Sequence, residues 1–412
     1  MTDLDTFARA QRAIAECRRI AQMSEEPGRI TRRYLTPPVR EVHALLRNRM
    51  QALGMAVVLD AAGNLRGLMR PAGGDARRLL VGSHIDTVPD AGAFDGVLGV
   101  TLALELVELA QQQKLRLPIE VVAFSEEEGA RFGVPFIGSR AVAGRFDPAL
   151  LALTDREGVT LHEAIRSFGL DPEKIPEAAI GEHSLGCFEI HIEQGPVLEA
   201  ENLSLGVVTS IAGQSRFSIK FVGRANHAGT TPMNLRRDAL SGAAEWIAEV
   251  EALAKRTDGL VATVGRLDLH PNAGNVIPGE VTLGFEARHP EDSLRQQAVK
   301  ALLDCASSIA ARRKLGIESI CEMDQPAVPM DERLAAFLSE AIESLGMPSR
   351  RIASGAGHDA MVMASRVPTA MLFLRSPGGI SHHPDETVRT EDVEAALRAS
   401  LKFVERLAAE FR

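Results

Sequence analysis

Hydrophobic and polar positions follow different periods along the chain, and these periods predict its elements. In residues 4–24 and 39–53, apolar side chains recur at the spacing of an α-helix. Residues 79–81 and 119–124 are short and almost wholly apolar, as buried strands are, and an apolar helix is predicted between them at 96–113. Strand, helix and strand in this order predict a doubly wound α/β domain, in which ligands bind at the carboxyl ends of the strands.

A second pattern begins near residue 208. Three segments alternate apolar and polar positions, which is typical of antiparallel strands with one face in water: 215–222, 260–267 and 280–288. Helical patterns lie beside them, at 236–256 and 292–313. After Pro326 the helices and buried strands return, at 331–345, 368–374 and 391–410.

The two patterns predict two domains. A chain of 412 residues is too long for one core of ordinary size. We expect an α/β catalytic domain of residues 1–210 and 326–412, with a mostly parallel mixed sheet and flanking helices. Residues 211–325 are expected to form an inserted α+β domain. Two adjacent crossings join it to the rest of the chain, and such paired crossings make a natural hinge for a lid.

Composition narrows the class of protein. A net charge of -9 argues against nucleic acid or an anionic membrane as the main partner. Aromatic residues make up 4% of the chain, too few for a base-stacking platform. No apolar run approaches the roughly 18–20 residues of a membrane span, and the first residues lack a signal-peptide pattern. The four cysteines have no CxxC spacing, which favours reduced thiols and a cytoplasmic protein.

Three polar residues follow the first buried strand. In the segment GSHIDT, His84 and Asp86 form an HxD pair, in which Asp86 can accept the free ring N–H and improve His84 as a metal ligand. The pair also fits an ordinary strand end with an Asp that caps a turn. In AFDG, Asp95 enters the helix predicted at 96–113, where a helix N-cap is the common alternative. As a ligand, its two oxygens can bridge two metal ions.

Three glutamates follow the second buried strand. A charge run is ordinarily a solvated face, but Glu126, Glu127 and Glu128 emerge at the ligand edge of the predicted sheet. In an ideal strand Glu126 and Glu128 share one side and Glu127 takes the other, unless a turn intervenes. We expect Glu128 to bind metal and Glu127 to be the general base, with Glu126 supporting or solvated.

Further histidines lie in two later segments. His191 and Glu193 are two residues apart in EIHIEQG, where His191 is a ligand or a core histidine and Glu193 a supporting group or weaker ligand. His382 and His383 are adjacent in GISHHPDE, so they point in different directions and one at most joins the site. His358 is expected to line a pocket.

Five of these residues form a consistent set: His84, Asp95, Glu128, His191 and His382. Three imidazoles and two carboxylates can hold two divalent cations a few ångströms apart. Such a pair makes hydroxide from water and stabilises both oxygens of a displacement. Mixed sites of this kind accept several metals, so Zn²⁺, Mn²⁺ and Co²⁺ stay open. The set predicts metal-assisted hydrolysis.

The amino-acid sequences of these segments resemble those of one known family, the two-metal amidohydrolases of the aminoacylase/carboxypeptidase type. They are most similar to the hydantoinase/carbamoylase branch, which includes allantoate amidohydrolase, N-carbamoyl-L-amino acid hydrolase and β-ureidopropionase. The resemblance covers essentially the whole chain and is carried by GSHIDTV, HIEQGPVLE, NHAGTTPM, NVIPG, SGAGHDA and ISHHPDE. One departure is DAGAFDG, where many members have two glycines before the Asp; Ala91 there could alter the loop over the substrate.

The resemblance implies how the ligands are shared. A first metal would be held by His84 and His191 and a second by Glu128 and His382, with Asp95 bridging them.

It also implies substrate contacts from Gln214, His227, Asn275 and Arg288 of the inserted domain, and from Gly357. Arg288 offers a planar fork for a carboxylate, although a surface ion pair is the ordinary alternative. His227 is suited to donate a hydrogen bond to a developing oxyanion. In relatives this histidine comes from the other subunit of a homodimer, so the inserted domain is expected to carry the dimer contact.

We therefore predict a metal-dependent amidohydrolase that cleaves the ureido (carbamoyl) C–N bond of a small carboxylate substrate and releases ammonia and carbon dioxide. Water would lose a proton to Glu127 and attack the ureido carbon. Allantoate, a substrate of purine catabolism, is slightly preferred to an N-carbamoyl-L-amino acid, and β-ureidopropionate stays open. The alternatives are an aminoacylase or peptidase of the same family, against which HIEQGPVLE and NHAGTTPM speak, and a catalytically silent relative, against which the complete ligand set speaks.

Overall fold

The computed structural model describes residues 5–71, 77–181 and 184–410. In these residues the α-helices are α1 (Thr6–Ala21), α2 (Pro37–Ala52), α3 (Val97–Gln112), α4 (Ile137–Val142), α5 (Leu161–Ser167), α6 (Val197–Ala200), α7 (Ala239–Arg256), α8 (Asp292–Arg313), α9 (Glu332–Glu343), α10 (Asp359–Met363) and α11 (Thr390–Glu410). The strands are β1 (Ala56–Leu59), β2 (Leu65–Met69), β3 (Arg78–His84), β4 (Ile119–Phe124), β5 (Ser184–Ile192), β6 (Leu205–Ile211), β7 (Gly213–Val222), β8 (Asn226–His227), β9 (Val261–His270), β10 (Val276–Ile277), β11 (Glu280–His289), β12 (Gly316–Gln325), β13 (Val328–Pro329), β14 (Arg351–Ser354) and β15 (Thr369–Leu374). No helix in the described parts of the chain has both the length and the apolar character that a membrane span requires.

The larger sheet is mixed, with parallel strands at its centre. β4, β3, β5 and β15 lie side by side and run in the same direction. β2 pairs antiparallel with β4, β1 with β2, and β6 with β15, so the antiparallel strands lie towards the edges. This topology confirms the predicted α/β class with a mostly parallel mixed sheet and flanking helices.

The central strands are apolar at nearly every position because the sheet is covered on both faces. Leu79 and Val81 of β3 belong to a large core that includes side chains of α1, α2, α3, α9 and α11. Leu80, which points the other way, packs in a smaller core with Val122 of β4 and Met363 of α10. Since successive side chains of a strand point to opposite faces, this arrangement requires continuous apolar runs.

The parallel strands deliver the predicted ligands to one edge of the sheet. His84 is the last residue of β3, His191 lies one residue before the end of β5, and the loop that carries His382 follows β15. Glu127 and Glu128 follow the end of β4. The carboxyl ends of parallel strands lie together, so residues far apart in sequence become neighbours.

The second compact unit comprises Ser210–Val328 and Ala353–Gly355, where the sequence predicted an inserted domain at 211–325. Its antiparallel sheet has the strand order β12, β7, β11 and β9. Helices α7 and α8 pack on one face, around a core that includes Trp246 and Phe285. Strand β12 has no counterpart in the sequence prediction, because most of its side chains are exposed and it lacks apolar alternation.

Candidate metal centre

Two histidines converge at the carboxyl edge of the parallel sheet. Nδ1 of His84 lies 3.0 Å from the backbone carbonyl oxygen of Asp86, and Nδ1 of His191 lies 2.9 Å from that of Ile192. Because a carbonyl can only accept, each Nδ1 carries a ring proton, and in the neutral ring each Nε2 then presents its lone pair. The two Nε2 atoms face one another at 3.4 Å. Two lone pairs at this separation favour a cation between them.

Asp95 presents its two carboxylate oxygens to different histidines. Oδ1 lies 3.6 Å from Nε2 of His84 and 3.2 Å from Nε2 of His191, whereas Oδ2 lies 3.3 Å from Nε2 of His382. Oδ1 is buried and has no hydrogen-bond partner among the described residues. A buried carboxylate oxygen is normally satisfied, so this atom fits a metal ligand. The alternative helix N-cap role is wrong, since Gly96 occupies the N-cap of α3.

His382 and Glu128 complete a second group of ligand atoms with Asp95. Oε1 of Glu128 lies 3.4 Å from Nε2 of His382. One ligand atom each from Asp95, Glu128 and His382 lie within 4.8 Å of one another, as do those of His84, Asp95 and His191. The carboxylates of Asp95 and Glu128 raise the pKa of His382 to about 10, so positive charge is favoured here. Imidazole and carboxylate donors fit divalent cations such as Zn²⁺, Mn²⁺ or Co²⁺.

Asp86 supports the two glutamates rather than the ring of His84. Its Oδ1 accepts a hydrogen bond from the backbone N–H of Glu127 and its Oδ2 from that of Glu128, both at 3.1 Å. Nδ1 of His84 is 3.8 Å from Oδ1 of Asp86 but 3.0 Å from the carbonyl oxygen of the same residue. The prediction that this carboxylate accepts the ring N–H is therefore wrong, because the backbone carbonyl makes that contact and the carboxylate turns towards the end of β4.

Glu126 breaks the strand alternation that would place it beside Glu128. Its φ of +52° puts it in a left-handed turn directly after β4. Its Oε1 accepts hydrogen bonds from the backbone N–H groups of Arg131, at 3.0 Å, and Phe132, at 3.3 Å. Of the two roles open for Glu126, the structure favours a support for the loop.

Glu127 is buried beside the ligands. Burial raises its pKa well above the usual range of a glutamate. The nearby carboxylates of Glu128 and Asp359 add to this shift, whereas His84 opposes it. One ligand atom each from His84, Glu127 and Glu128 also lie within 4.8 Å of one another, so Glu127 is close enough to act on a water at the centre.

Three residues that sequence reasoning missed hold the Asp95 loop. Oε1 of Glu386 accepts hydrogen bonds from the backbone N–H groups of Phe94, at 2.9 Å, and Asp95, at 3.0 Å. Nε2 of Gln194 donates to Oδ2 of Asp95 at 3.0 Å, and the hydroxyl of Ser381 lies 3.2 Å from the same oxygen. All three belong to the segments EIHIEQG and GISHHPDE, but their partners lie 99 to 292 residues away.

Two positions of the same loop require glycine, because neighbouring side chains approach their backbone too closely for a Cβ atom. A Cβ at Gly96, which has a φ of +65°, would lie 2.4 Å from the imidazole of His84. A Cβ at Gly92 would lie 2.3 Å from the Cβ of Glu386. Ala91, the departure from the family's double glycine, is buried and donates its N–H to the carbonyl of Ile30 at 2.8 Å. Larger side chains at the glycines would displace the loop that carries Asp95.

The other candidates near the site are structural. The carboxylate of Glu193 accepts the backbone N–H groups of Val197 and Leu198, at 2.7 and 3.0 Å, so it caps α6 and is not free to bind metal. His383 accepts a hydrogen bond from the backbone N–H of Asp385 at 3.2 Å, with its ring exposed.

His358 is buried and packs its ring against that of His191, with centroids 4.5 Å apart. Both nitrogens of His191 already face other groups, so the further cluster of His191 with Glu189 and His358 cannot form a separate site. The oxygens of Glu189 accept hydrogen bonds from the Ser83 hydroxyl and the Ala360 N–H, both at 2.8 Å.

Two of the predicted substrate contacts lie together on the sheet of the second unit. Arg288 of β11 is paired directly with Gln214 of β7. Both bind the carboxylate of Glu286: Gln214 donates from Nε2 and Arg288 from Nε, each at 2.6 Å. Arg288 thus forms an ion pair with Glu286, which is the ordinary alternative stated for it above. Its Nη1 also donates to the carbonyl of Gly355.

His227 and Asn275 are neighbours through the short ladder of β8 and β10. The N–H of Ala228 donates to the carbonyl of Asn275 at 2.9 Å. Nδ1 of His227 accepts the N–H of Gly229 at 3.0 Å, so its proton lies on Nε2, in an exposed ring. Gly357 lies between β14 and α10, where a Cβ would meet the ring of Phe136 at 2.8 Å.

Comparison with known proteins gives one consistent result. Residues 80–406 match Peptidase family M20/M25/M40. An N-carbamoyl-L-amino acid amidohydrolase from Geobacillus stearothermophilus is 40% identical over 377 residues, or 90% of this chain and 92% of the relative. An allantoate deiminase from Arabidopsis thaliana is 36% identical over 437 residues, or 98% of this chain and 83% of the relative. The crystal structure of a hydantoinase/carbamoylase family amidase from Burkholderia multivorans has a TM-score of 0.91 and 34% identity, covering 97% of this chain and 98% of that one.

The fold and the ligand set define the class of metal-dependent hydrolases that act on carbon–nitrogen bonds. The chain belongs to Peptidase family M20/M25/M40, and the predicted resemblance to its hydantoinase/carbamoylase amidohydrolases is confirmed.

Proposed function

We propose that the chain is a metal-dependent amidohydrolase that cleaves the ureido C–N bond of a small carboxylate, either allantoate or an N-carbamoyl-L-amino acid. Ammonia and carbon dioxide would be released. The observation that carries the proposal is the carboxylate of Asp95, whose oxygens face His84 and His191 on one side and His382 on the other. The names of relatives at 36% and 40% identity support the two substrates.

Two divalent cations would occupy this centre, one between His84, His191 and Asp95 and the other between Asp95, Glu128 and His382. Such ions would supply an acidified water and stabilise the negative charge that develops on the oxygen of the ureido carbonyl. The Asp86 carbonyl and carboxylate hold His84 and the backbone of Glu127 and Glu128, and therefore fix the ligand positions. The number and identity of the ions stay predictions.

Glu127 is the proposed proton carrier. It takes a proton from the water that attacks the ureido carbon and returns it to the leaving nitrogen, so that one side chain serves as base and then as acid. Its burial favours proton uptake and excludes competing water. Loss of ammonia from the tetrahedral adduct leaves a carbamate, which breaks down to carbon dioxide and the amine.

The second unit is proposed to recognise the substrate. Arg288 and Gln214 would bind its carboxylate, and Asn275 would hydrogen-bond to it. Gly357, which belongs to the first unit, is a further predicted contact. His227 carries its proton on an exposed Nε2, as a donor to the oxyanion must.

Assembly and location stay predictions: a homodimer whose contact lies in the second unit, lid motion of that unit, and a cytoplasmic enzyme. Met233, the last residue of the NHAGTTPM segment, and Leu235, two residues further on, are 76% and 69% exposed and are consistent with a covered surface in such a dimer. If allantoate is the substrate, the enzyme acts in purine catabolism.

The test is a substrate panel with ammonia release as the readout. Allantoate, several N-carbamoyl-L- and D-amino acids and β-ureidopropionate are compared with N-acetyl amino acids and dipeptides, each with Zn²⁺, Mn²⁺ or Co²⁺. Hydrolysis of the N-acetyl amino acids and dipeptides releases no ammonia, so it is followed separately by the release of free amine. We expect turnover of allantoate or an N-carbamoyl-L-amino acid. Turnover of acetyl or peptide substrates alone would make the chain an aminoacylase or peptidase, and none at all would make it a silent relative.

A further inference from the structure

One carboxylate, that of Glu286, gathers three donors on the sheet of the second unit. Oε2 accepts a hydrogen bond from Nε2 of Gln214 at 2.6 Å and another from Nε of Arg216. Oε1 accepts from Nε of Arg288 at 2.6 Å. Two of the side chains proposed to bind the substrate therefore share one partner that no sequence motif suggested.

The strand register makes this cluster a property of the fold. Arg288 is paired with Gln214 across β11 and β7, and Glu286 is paired with Arg216. Side chains two residues apart on a strand share a face. The intervening residues, such as Phe285 and Ala287, belong to the core beneath α7 and α8, so the four polar side chains lie on the opposite face.

Glu286 is ionised in this cluster. Burial opposes its ionisation, but the hydrogen bonds from Arg288 and Arg216 outweigh burial and lower the pKa. Two guanidinium groups against one carboxylate leave a single net positive charge. The next charged side chains on the sheet supply no further net positive charge, since Arg266 lies 3.4 Å from Asp268 and 3.9 Å from Glu322, two carboxylates for one guanidinium.

Glu286 also determines which part of Arg288 is available. Its carboxylate takes the Nε–H, and the Gly355 carbonyl takes one N–H of Nη1. A guanidinium has five N–H groups, so these contacts fix its plane and leave three for an incoming carboxylate. A group held on two sides loses less conformational freedom when it binds a ligand.

We propose that Glu286 is the positioning residue of the substrate-carboxylate site and that it sets the preference of this site for substrates with one carboxylate. The inference rests on the proposed function, in which Arg288 and Gln214 bind that carboxylate. Glu286 aligns both donors, and its own charge repels a second carboxylate on the substrate. Like charges brought together in a binding site are a common means of rejecting a wrong partner.

The substitution Glu286→Gln tests both parts. The amide still accepts a hydrogen bond but no longer balances the two guanidinium groups. For N-carbamoyl-L-alanine we expect KM to rise about 10-fold, the order expected for losing a hydrogen bond to a charged group, with a much smaller change in kcat. For N-carbamoyl-L-aspartate, the variant no longer repels the second carboxylate of the substrate. This gain in binding offsets the loss caused by the misaligned donors. The ratio of kcat/KM for the aspartate derivative to that for the alanine derivative should therefore rise at least about 10-fold.

Two further variants separate positioning from general damage to the sheet. Glu286→Asp retains the charge and should preserve the native preference for one carboxylate, even if the shorter side chain raises KM. Glu280→Gln is the matched control, because Glu280 lies on the same strand and face and binds Lys220 at 2.9 Å. It should leave both KM values and their ratio unchanged. Thermal unfolding of all variants checks that each is folded.

The outcomes are distinct for this inference and for the proposed function. A changed ratio in Glu286→Gln, with native ratios in Glu286→Asp and Glu280→Gln, supports the inference. Native KM values and ratio in Glu286→Gln would overturn it while leaving the amidohydrolase activity in place. A loss of kcat alone would also overturn it, because misalignment of the carboxylate site acts on binding. No ammonia release by the native, metal-supplied protein would overturn the proposed function and this inference with it.

Discussion

The metal centre and the polar face of the second unit hold their functional side chains in different ways. In the centre, contacts to backbone groups hold the predicted ligands in place. Backbone carbonyls orient His84 and His191, and the carboxylate of Glu386 binds backbone N–H groups of the Asp95 loop. On the sheet of the second unit, side chains hold side chains, as Glu286 holds Arg288.

Exposure follows the same division for three of the five predicted ligands; the other two, Glu128 and His382, have side chains that are 9% and 48% exposed. The side chains of His84, Asp95 and His191 are 1–3% exposed, whereas those of Glu286 and Arg288 are 27% and 28% exposed. A buried group fixed by backbone contacts changes only when the fold changes, and a half-exposed side-chain cluster can be altered one residue at a time. We therefore expect the predicted metal ligands to tolerate substitution less well than the predicted substrate contacts.

The largest expected effects lie in the centre. Glu127→Gln removes the proton carrier and should slow turnover by at least about 10²-fold, with metal content close to normal. Glu128→Ala should instead reduce the metal content. Metal analysis and single-turnover ammonia release on both variants separate the two roles. The assignment is reversed if Glu127→Gln loses metal and Glu128→Ala retains it.

Substitution of His227 tests whether activity requires a residue from a second chain. His227→Ala should cost about 10²–10³-fold in rate, as loss of an oxyanion donor does. Mixing it with Glu127→Gln and allowing subunit exchange should restore activity, because one site of each mixed dimer then holds both native residues. Up to half of the sites in mixed dimers can recover. If exchange is proven and no activity returns, His227 acts in its own chain or outside the chemistry.

Glu386→Gln tests whether the contacts of Glu386 with the Asp95 loop support metal binding. It leaves the N–H groups of Phe94 and Asp95 only a neutral amide oxygen, a weaker acceptor than a carboxylate, and puts an NH2 group where Oε2 accepts from Ser381, so metal affinity should fall about 10–100-fold. Affinity is measured by competition with a chelator. Glu201→Gln is the control, since Glu201 makes an exposed pair with Arg350 at 2.9 Å. Equal metal affinity in both variants would show that the Asp95 loop needs no such support.

The smallest effect is expected on the sheet of the second unit. Arg288→Lys retains the charge but loses the planar fork, so KM for a carboxylate substrate should rise about 10-fold. A matched amide analogue should be affected much less. Arg266→Lys, on the neighbouring strand β9, serves as the control. Equal losses for acid and amide would mean that Arg288 is structural.

That the five predicted ligands come together could be predicted, because His84 and His191 lie at the ends of parallel strands and the other three lie in loops that follow such strands. The contacts that hold those ligands could not, since Glu386 binds backbone groups 291 and 292 residues away. Asp86 shows the same limit at short range: the HxD spacing was informative, yet the carbonyl and not the carboxylate holds His84. The role of Glu286 emerges only from the register of β7 and β11.

The most direct test of the central claim is metal dependence measured by ammonia release. The native protein is stripped with a chelator, its metal content is checked, and Mn²⁺, Co²⁺ or Zn²⁺ is returned in steps with allantoate or N-carbamoyl-L-alanine as the substrate. We predict that turnover disappears on stripping and returns as the centre of His84, Asp95, Glu128, His191 and His382 fills. Full activity in a protein shown to be free of metal would contradict the account.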